Sequence, residues 1–113
     1  MKTVFITGAA HGIGLATARR FAAQGWFVGL YDINREGLAE LLDSAEFDNA
    51  CGQYCDVTDR ASIEEALAHF AGRAGGRLDL LVNNAGLLSS GRFEEIEPRS
   101  HEGIIDVNVK GLT

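Results

Sequence analysis

The apolar positions of this chain keep changing their period. Short unbroken runs suit strands buried on both faces; they alternate with stretches whose apolar residues recur every three or four positions. Residues 3–7, which begin Thr-Val-Phe-Ile, read as the first strand. Residues 12–24 read as a helix that stops at Gly25. Residues 27–31 form a second strand. Residues 35–45 form a second helix, with Leu38, Leu41, Leu42 and Ala45 at i, i+3, i+4 and i+7. Residues 50–55 make a weaker third strand. A third helix is capped near Thr58 or Asp59 and buries Ile63, Ala66, Leu67, Phe70 and Ala71. Ser62 and Glu65 also match a capping box, so that helix could start a few residues later. The glycine-rich turn 72–76 ends it, and residues 78–82 read as a fourth strand. Pro98, the only proline, suits a helix N-terminus, and residues 106–112 would continue that last helix.

Strands and helices alternate along the whole chain. That pattern predicts an α/β fold: βαβ units with right-handed crossovers and a parallel sheet covered on both faces. No internal repeat, low-complexity tract or linker divides the 113 residues, so a single domain over 1–113 is expected. Apolar residues make up 46% and charged residues 23%, which is ordinary for a globular domain. The net charge of −6 argues against a nucleic-acid or anionic-membrane surface, which needs clustered Lys and Arg. No apolar run is long enough to span a bilayer. Cys51 and Cys55, four residues apart on one strand, would lie ~13 Å apart. A disulfide needs Cα atoms within ~7 Å, so both read as reduced, buried thiols of a cytoplasmic protein. No metal site is expected near them.

Between the first strand and the first helix stands TGAAHGIG. Gly8 can turn the backbone sharply there at little cost. Gly12 lacks a Cβ, so a phosphate can approach the backbone, and Gly14 lets the helix pack close. Free N–H groups at the helix start, with the positive end of its dipole, suit a diphosphate. No Gly-Lys-Ser/Thr follows, so this is not a Walker A loop. By themselves the glycines also fit a plain tight turn. Asp32, at the end of the second strand and 24 residues past Gly8, changes that. An acid ~20 residues beyond such a loop can take both ribose hydroxyls of an adenosine. The alternative is an acid that starts a turn or caps the second helix before Asn34.

TGAAHGIG, YDIN, CDVTD, LVNNAG and IIDVNVKG occur in that order, each beside its own element. Together they resemble the short-chain dehydrogenase/reductase family, in its shorter form, over the entire chain. The resemblance implies a Rossmann-type doubly wound parallel sheet with strand order 3-2-1-4, truncated to the N-terminal, cofactor-binding half of the family fold. It implies that Gly8, Gly12, Ile13 and Gly14 line the diphosphate and that Asp32 binds the adenosine ribose. Asp56 and Val57 would meet the adenine; Asn84, Ala85 and Gly86 would lie by the middle of the cofactor. Asn108 matches the asparagine that helps hold the active-site lysine through a water. His11 takes a loop place that is often polar or basic in relatives, and His101 stands where they often carry a bulky aromatic.

The family interconverts an alcohol and a carbonyl with a serine, a tyrosine and a lysine, the last two in a Tyr-x-x-x-Lys signature. Here Tyr31 is followed four residues later by Arg35 and Tyr54 by Thr58, and the only lysines are Lys2 and Lys110. Relatives place that triad after the region matched here. Ser89, Ser90 and Ser100 lack a nucleophile elbow. His69 reads as a surface or rim residue, and Glu94, Glu95 and Glu97 as a solvated loop.

The chain is therefore expected to be the cofactor half of an NAD(H)-dependent oxidoreductase acting on a small alcohol or carbonyl. NAD is favoured over NADP because Asp32 would repel a 2′-phosphate. The alternative is a stand-alone nucleotide-binding or assembly module without chemistry. A third reading, another dinucleotide or S-adenosyl enzyme, is opposed by NNAG and VNVKG. The fourth strand would lie at an apolar sheet edge, which predicts a homo-oligomer or association with the missing C-terminal half.

Overall fold

The structure, a computed structural model, describes residues 1–84 and the backbone of residues 105–108. All five residues of β1 (Thr3–Thr7) are buried, as a strand covered on both faces and both edges must be. β1 pairs in parallel with β2 (Phe27–Asp32) on one side and with β4 (Leu80–Asn83) on the other. β3 (Ala50–Tyr54) lies outside β2, and β5 (Ile105–Asn108) outside β4. The order is β3-β2-β1-β4-β5, so the expected 3-2-1-4 arrangement is present with one further strand.

Alternate residues of the strands feed two cores. Val4, Ile6, Val28, Leu30 and Val82 pack with Ala18 of α1 (Gly12–Ala23) and Leu38 of α2 (Arg35–Leu42). Phe5, Tyr31, Cys51 and Leu81 pack with Ile63, Ala66, Leu67 and Phe70 of α3 (Arg60–Arg73). The sheet is thus doubly wound. Phe5 stacks on Tyr31 with ring centroids 4.4 Å apart, and Phe70 meets Phe5 edge-on at 5.5 Å. At the other end of β1, Asp79 Oδ2 accepts from Thr3 N at 2.8 Å and from Arg77 Nε at 2.7 Å, which staples β1 to the start of β4.

Two elements depart from the sequence reading, α2 and the segment 105–108, whereas α3 starts at one of the expected caps. α2 stops at Leu42, and a 3-10 turn at Ala45–Phe47 follows. That turn buries Phe47, leaving 2% of it exposed, which outweighs one more turn of helix through Asp43 and Ser44. α3 is capped by Asp59, whose Oδ1 accepts from Ala61 N at 3.0 Å. Ser62 does not cap; its Oγ accepts from Asp56 N at 2.9 Å and ties the preceding loop to the helix.

The largest correction concerns residues 105–108. They form β5 rather than the helix expected through 106–112. β-branched Ile105 and Val107 alternate with Asp106 and Asn108, a period of two that suits a strand. Leu80 pairs with Ile105 and Asn83 with Asn108, so β4 is an interior strand and not the expected edge. Residues 109–112 and the Pro98 helix start lie outside the described residues.

Candidate functional site

Strand order reverses between β1 and β4, where α1 and α2 lie on one face and α3 on the other. Loops leaving the carboxyl ends of the strands diverge at such a point and open a crevice. A cavity of about 310 Å³ occupies it. Gly8 and His11 line it from the loop after β1, Asp32 and Ile33 from the end of β2, residues 55–58 from beyond β3, and Asn84 from beyond β4.

The loop after β1 is held from two sides. Gly8 turns the chain with φ +65°, a conformation that favours glycine. Ala9 N then donates to Tyr31 O at 3.2 Å, and Ala10 N to Asp32 Oδ2 at 2.9 Å, pinning the loop to the end of β2. α1 begins directly under it. A Cβ at Gly14 would collide with the Gly8 carbonyl oxygen and lie 2.7 Å from Asn84 Nδ2, so only glycine permits this approach. His11 precedes the helix with no side-chain cap bond, and the first turn carries no acid. The first-turn N–H groups are therefore left for an external acceptor, with the dipole favouring an anion.

Asp32 is 3% exposed. Besides Ala10 N, its carboxylate accepts from Asn34 N at 3.0 Å through Oδ1. It therefore starts the turn, as the alternative reading held, and also anchors the glycine loop. Asn34, not Asp32, caps α2, accepting from Gly37 N at 3.0 Å. Two backbone donors leave part of the carboxylate's four lone-pair positions uncommitted. His11 Nδ1 lies 3.6 Å from Asp32 Oδ2, with its side chain 75% exposed.

Across the cavity, Asp56 Oδ1 accepts from Thr58 N at 2.9 Å and from Thr58 Oγ1 at 2.6 Å. The Thr58 hydroxyl, then its N–H, hold the Asp56 carboxyl below the usual carboxylate range, so it stays ionised as an acceptor. Val57 is buried beside it. Burial pushes the Cys55 thiol up to about 11, which keeps it protonated and unreactive. Asn84 closes the floor: its N–H donates to Thr7 Oγ1 at 3.1 Å and its Nδ2 to Gly8 O at 3.3 Å. Among the described residues, Asn84 Oδ1 is buried without a hydrogen-bond partner.

Of the residues singled out from sequence, the fold thus brings Gly8, Asp32, Asp56, Val57 and Asn84 to one cavity. Gly12, Ile13 and Gly14 stand beside it in the first turn of α1. Ala85, Gly86 and His101 lie outside the described residues. Asn108 is placed only by its backbone, abreast of Asn83. Sequence reading missed Ile33, Cys55 and Thr58 as lining residues. Ile33 carried a usable signal, a large apolar side chain directly after the acid; the structure leaves it 63% exposed.

Both tyrosines have other partners. Tyr31 is fully buried, with its hydroxyl 3.0 Å from His69 Nδ1 and 3.5 Å from Cys51 Sγ. Burial drives its phenol far above the ordinary value. His69 is accordingly half-buried at the rim of the core, one of the two positions expected for it, and burial lowers its pKa. Tyr54 lies under Arg35, the guanidinium 4.2 Å from the ring centroid.

The family model described as short chain dehydrogenase matches residues 2–113. A sorbitol dehydrogenase of Cereibacter sphaeroides is 40% identical over 111 residues, covering 97% of this chain and 42% of that protein. An actinorhodin polyketide ketoreductase crystallised with NADPH superposes with a TM-score of 0.67 at 31% identity, covering 84% of this chain and 40% of its own. A 3-ketoacyl-(acyl-carrier-protein) reductase from Brucella melitensis, complexed with NADH, gives 0.66 at 28% identity, with 84% and 42% covered. The chain spans less than half the length of each. With its crevice at the strand reversal and its glycine turn sealed by Gly14, the chain belongs to the short chain dehydrogenase family.

Proposed function

We propose that these residues are the cofactor-binding part of an NAD(H)-dependent oxidoreductase that interconverts an alcohol and a carbonyl. The observation that carries the NAD assignment is the Asp32 carboxylate in a cavity whose lining, among the described residues, includes no Lys or Arg. The residues fit the cofactor. Gly14 keeps the loop and α1 close enough for a diphosphate to meet the first-turn N–H groups. Asp32, already oriented by Ala10 N and Asn34 N, would accept from the ribose hydroxyls. Asp56 would accept from the adenine amine, with Val57 and the exposed Ile33 on its faces. Asn84 Oδ1, without a partner among the described residues, would take a donor near the middle of the cofactor. When bound, the nicotinamide supplies or accepts a hydride.

A 2′-phosphate placed at Asp32 sets like charges together, which costs several kcal/mol. The general acid/base is assigned to residues outside the described ones, because Tyr31 is locked in the core and Tyr54 lies under Arg35. Asn108 would help position the lysine of that machinery. Calorimetric titration with NAD and NADP tests the reading. NAD is expected to bind at least about tenfold tighter, a difference of ~1.4 kcal/mol. Tighter NADP binding would overturn it.

A further inference from the structure

We propose that Tyr54 helps set the dinucleotide preference by holding the Arg35 guanidinium away from the ribose end of the cavity. The inference rests on the ribose-binding reading of Asp32 and extends it to a residue outside that cavity. Tyr54 lies directly abreast of Asp32 in the parallel pairing of β2 and β3. Arg35 opens α2 three residues beyond Asp32, so their Cα atoms are at most ~10 Å apart. It is the cation of this segment placed to reach a 2′-phosphate on a ribose held by Asp32.

It does not line that cavity. It lines a separate groove between α2 and β3 with Leu38, Leu42, Gly52 and Tyr54. Its guanidinium sits 4.2 Å from the Tyr54 ring centroid. A planar guanidinium stacks well on an aromatic face, and the quadrupole attracts it. Arg35 is exposed and Tyr54 half-buried, so the attraction is a bias rather than a lock. The bias works with Asp32: the carboxylate repels a third phosphate, and the ring withholds the cation that would offset the repulsion. Removing the ring frees Arg35 to answer a 2′-phosphate through charge-assisted hydrogen bonds.

The test is calorimetric titration of the purified protein with 5′-AMP and with adenosine 2′,5′-bisphosphate. Tyr54→Ala is expected to raise the bisphosphate-to-AMP affinity ratio about threefold to fivefold, the scale of an exposed contact of this kind. Tyr54→Leu, which keeps apolar volume and removes the ring, is expected to do the same. Tyr54→Phe keeps the ring and the wild-type ratio. Arg35→Gln added to Tyr54→Ala abolishes the gain. An unchanged ratio in Tyr54→Ala and Tyr54→Leu, or a gain that survives Arg35→Gln, overturns the proposal while leaving the ribose assignment intact. A wild-type protein that binds AMP no differently after Asp32→Ala overturns the ribose assignment itself, and this proposal with it.

Discussion

Asp32 carries two loads, and they can be separated. Asp32→Ala removes the acceptor for Ala10 N and Asn34 N, and losing hydrogen bonds to a buried charged group costs about 1.5–3 kcal/mol each at most. Chemical denaturation should show a loss of that order. Asp32→Asn keeps one acceptor oxygen and the shape, so it should retain more stability while narrowing the preference for NAD over NADP. Full loss of preference only in the alanine variant would show that folding, not charge, sets it. Gly14→Ala is a purer steric test. Its Cβ has no room beside the Gly8 carbonyl, and forced overpacking costs about 1–3 kcal/mol. A melting temperature equal to wild type would mean the loop and α1 are less tightly seated than described. At this scale much was legible, because a missing Cβ and a fixed spacing leave marks in sequence. The anchoring of the glycine loop by Asp32 was not, since it depends on where the loop lands. Nor was the Tyr31–His69 contact, which joins residues 38 positions apart.

Among the elements, α3 shows what a buried stripe holds in place. Phe70 is 2% exposed and touches both Phe5 and Tyr31 edge-on. Phe70→Ala should cost about 3–5 kcal/mol in denaturant unfolding, enough to threaten a domain of this size. The same helix gives an acid limb to stability. Burial lowers the His69 pKa below its ordinary value, so the folded state binds that proton less well than the unfolded chain. Its contribution is complete above about pH 6.5 and is lost as pH falls from there through the lowered value. Asp79 adds a second limb, because the hydrogen bond from Arg77 depresses its pKa. That contribution is present above about pH 4 and disappears as the pH drops through the depressed value. Melting temperatures against pH should show both limbs, with His69→Gln removing the upper and Asp79→Asn the lower. A flat profile from pH 7 to 5 would contradict the first.

Strands and helices with strong periodicity were legible from sequence. Those decided by tertiary gain were not: burial of Phe47 ended α2 at Leu42 instead of Ala45, and the open flank of β4 drew 105–108 into a strand.

At the scale of the whole molecule, two cores separated by one sheet position loops from four strands around a single cavity. The doubly wound order was legible because alternation and right-handed crossovers leave few topologies. The fifth strand was hidden because Ile105 and Val109 also stand four apart, a helical spacing that masks the alternation of Ile105 and Val107 with Asp106 and Asn108. Among the described residues no helix is long and apolar enough to cross a membrane. Residues 1–113 alone are expected to show no dehydrogenase turnover, since the chain contains no Tyr-x-x-x-Lys pair. Turnover by the pure 113-residue chain, checked by intact mass, would refute that reading.

The most direct test of the account maps where an adenine nucleotide binds. Amide chemical shifts of isotope-labelled protein titrated with 5′-AMP should move at residues 12–14, at Ile33 and at residues 56–58, which surround the cavity. The groove between α2 and β3, at Leu42 and Gly52, should stay unmoved. Shifts confined to that groove, or absent at saturating nucleotide, would contradict the assignment of this crevice as the cofactor site.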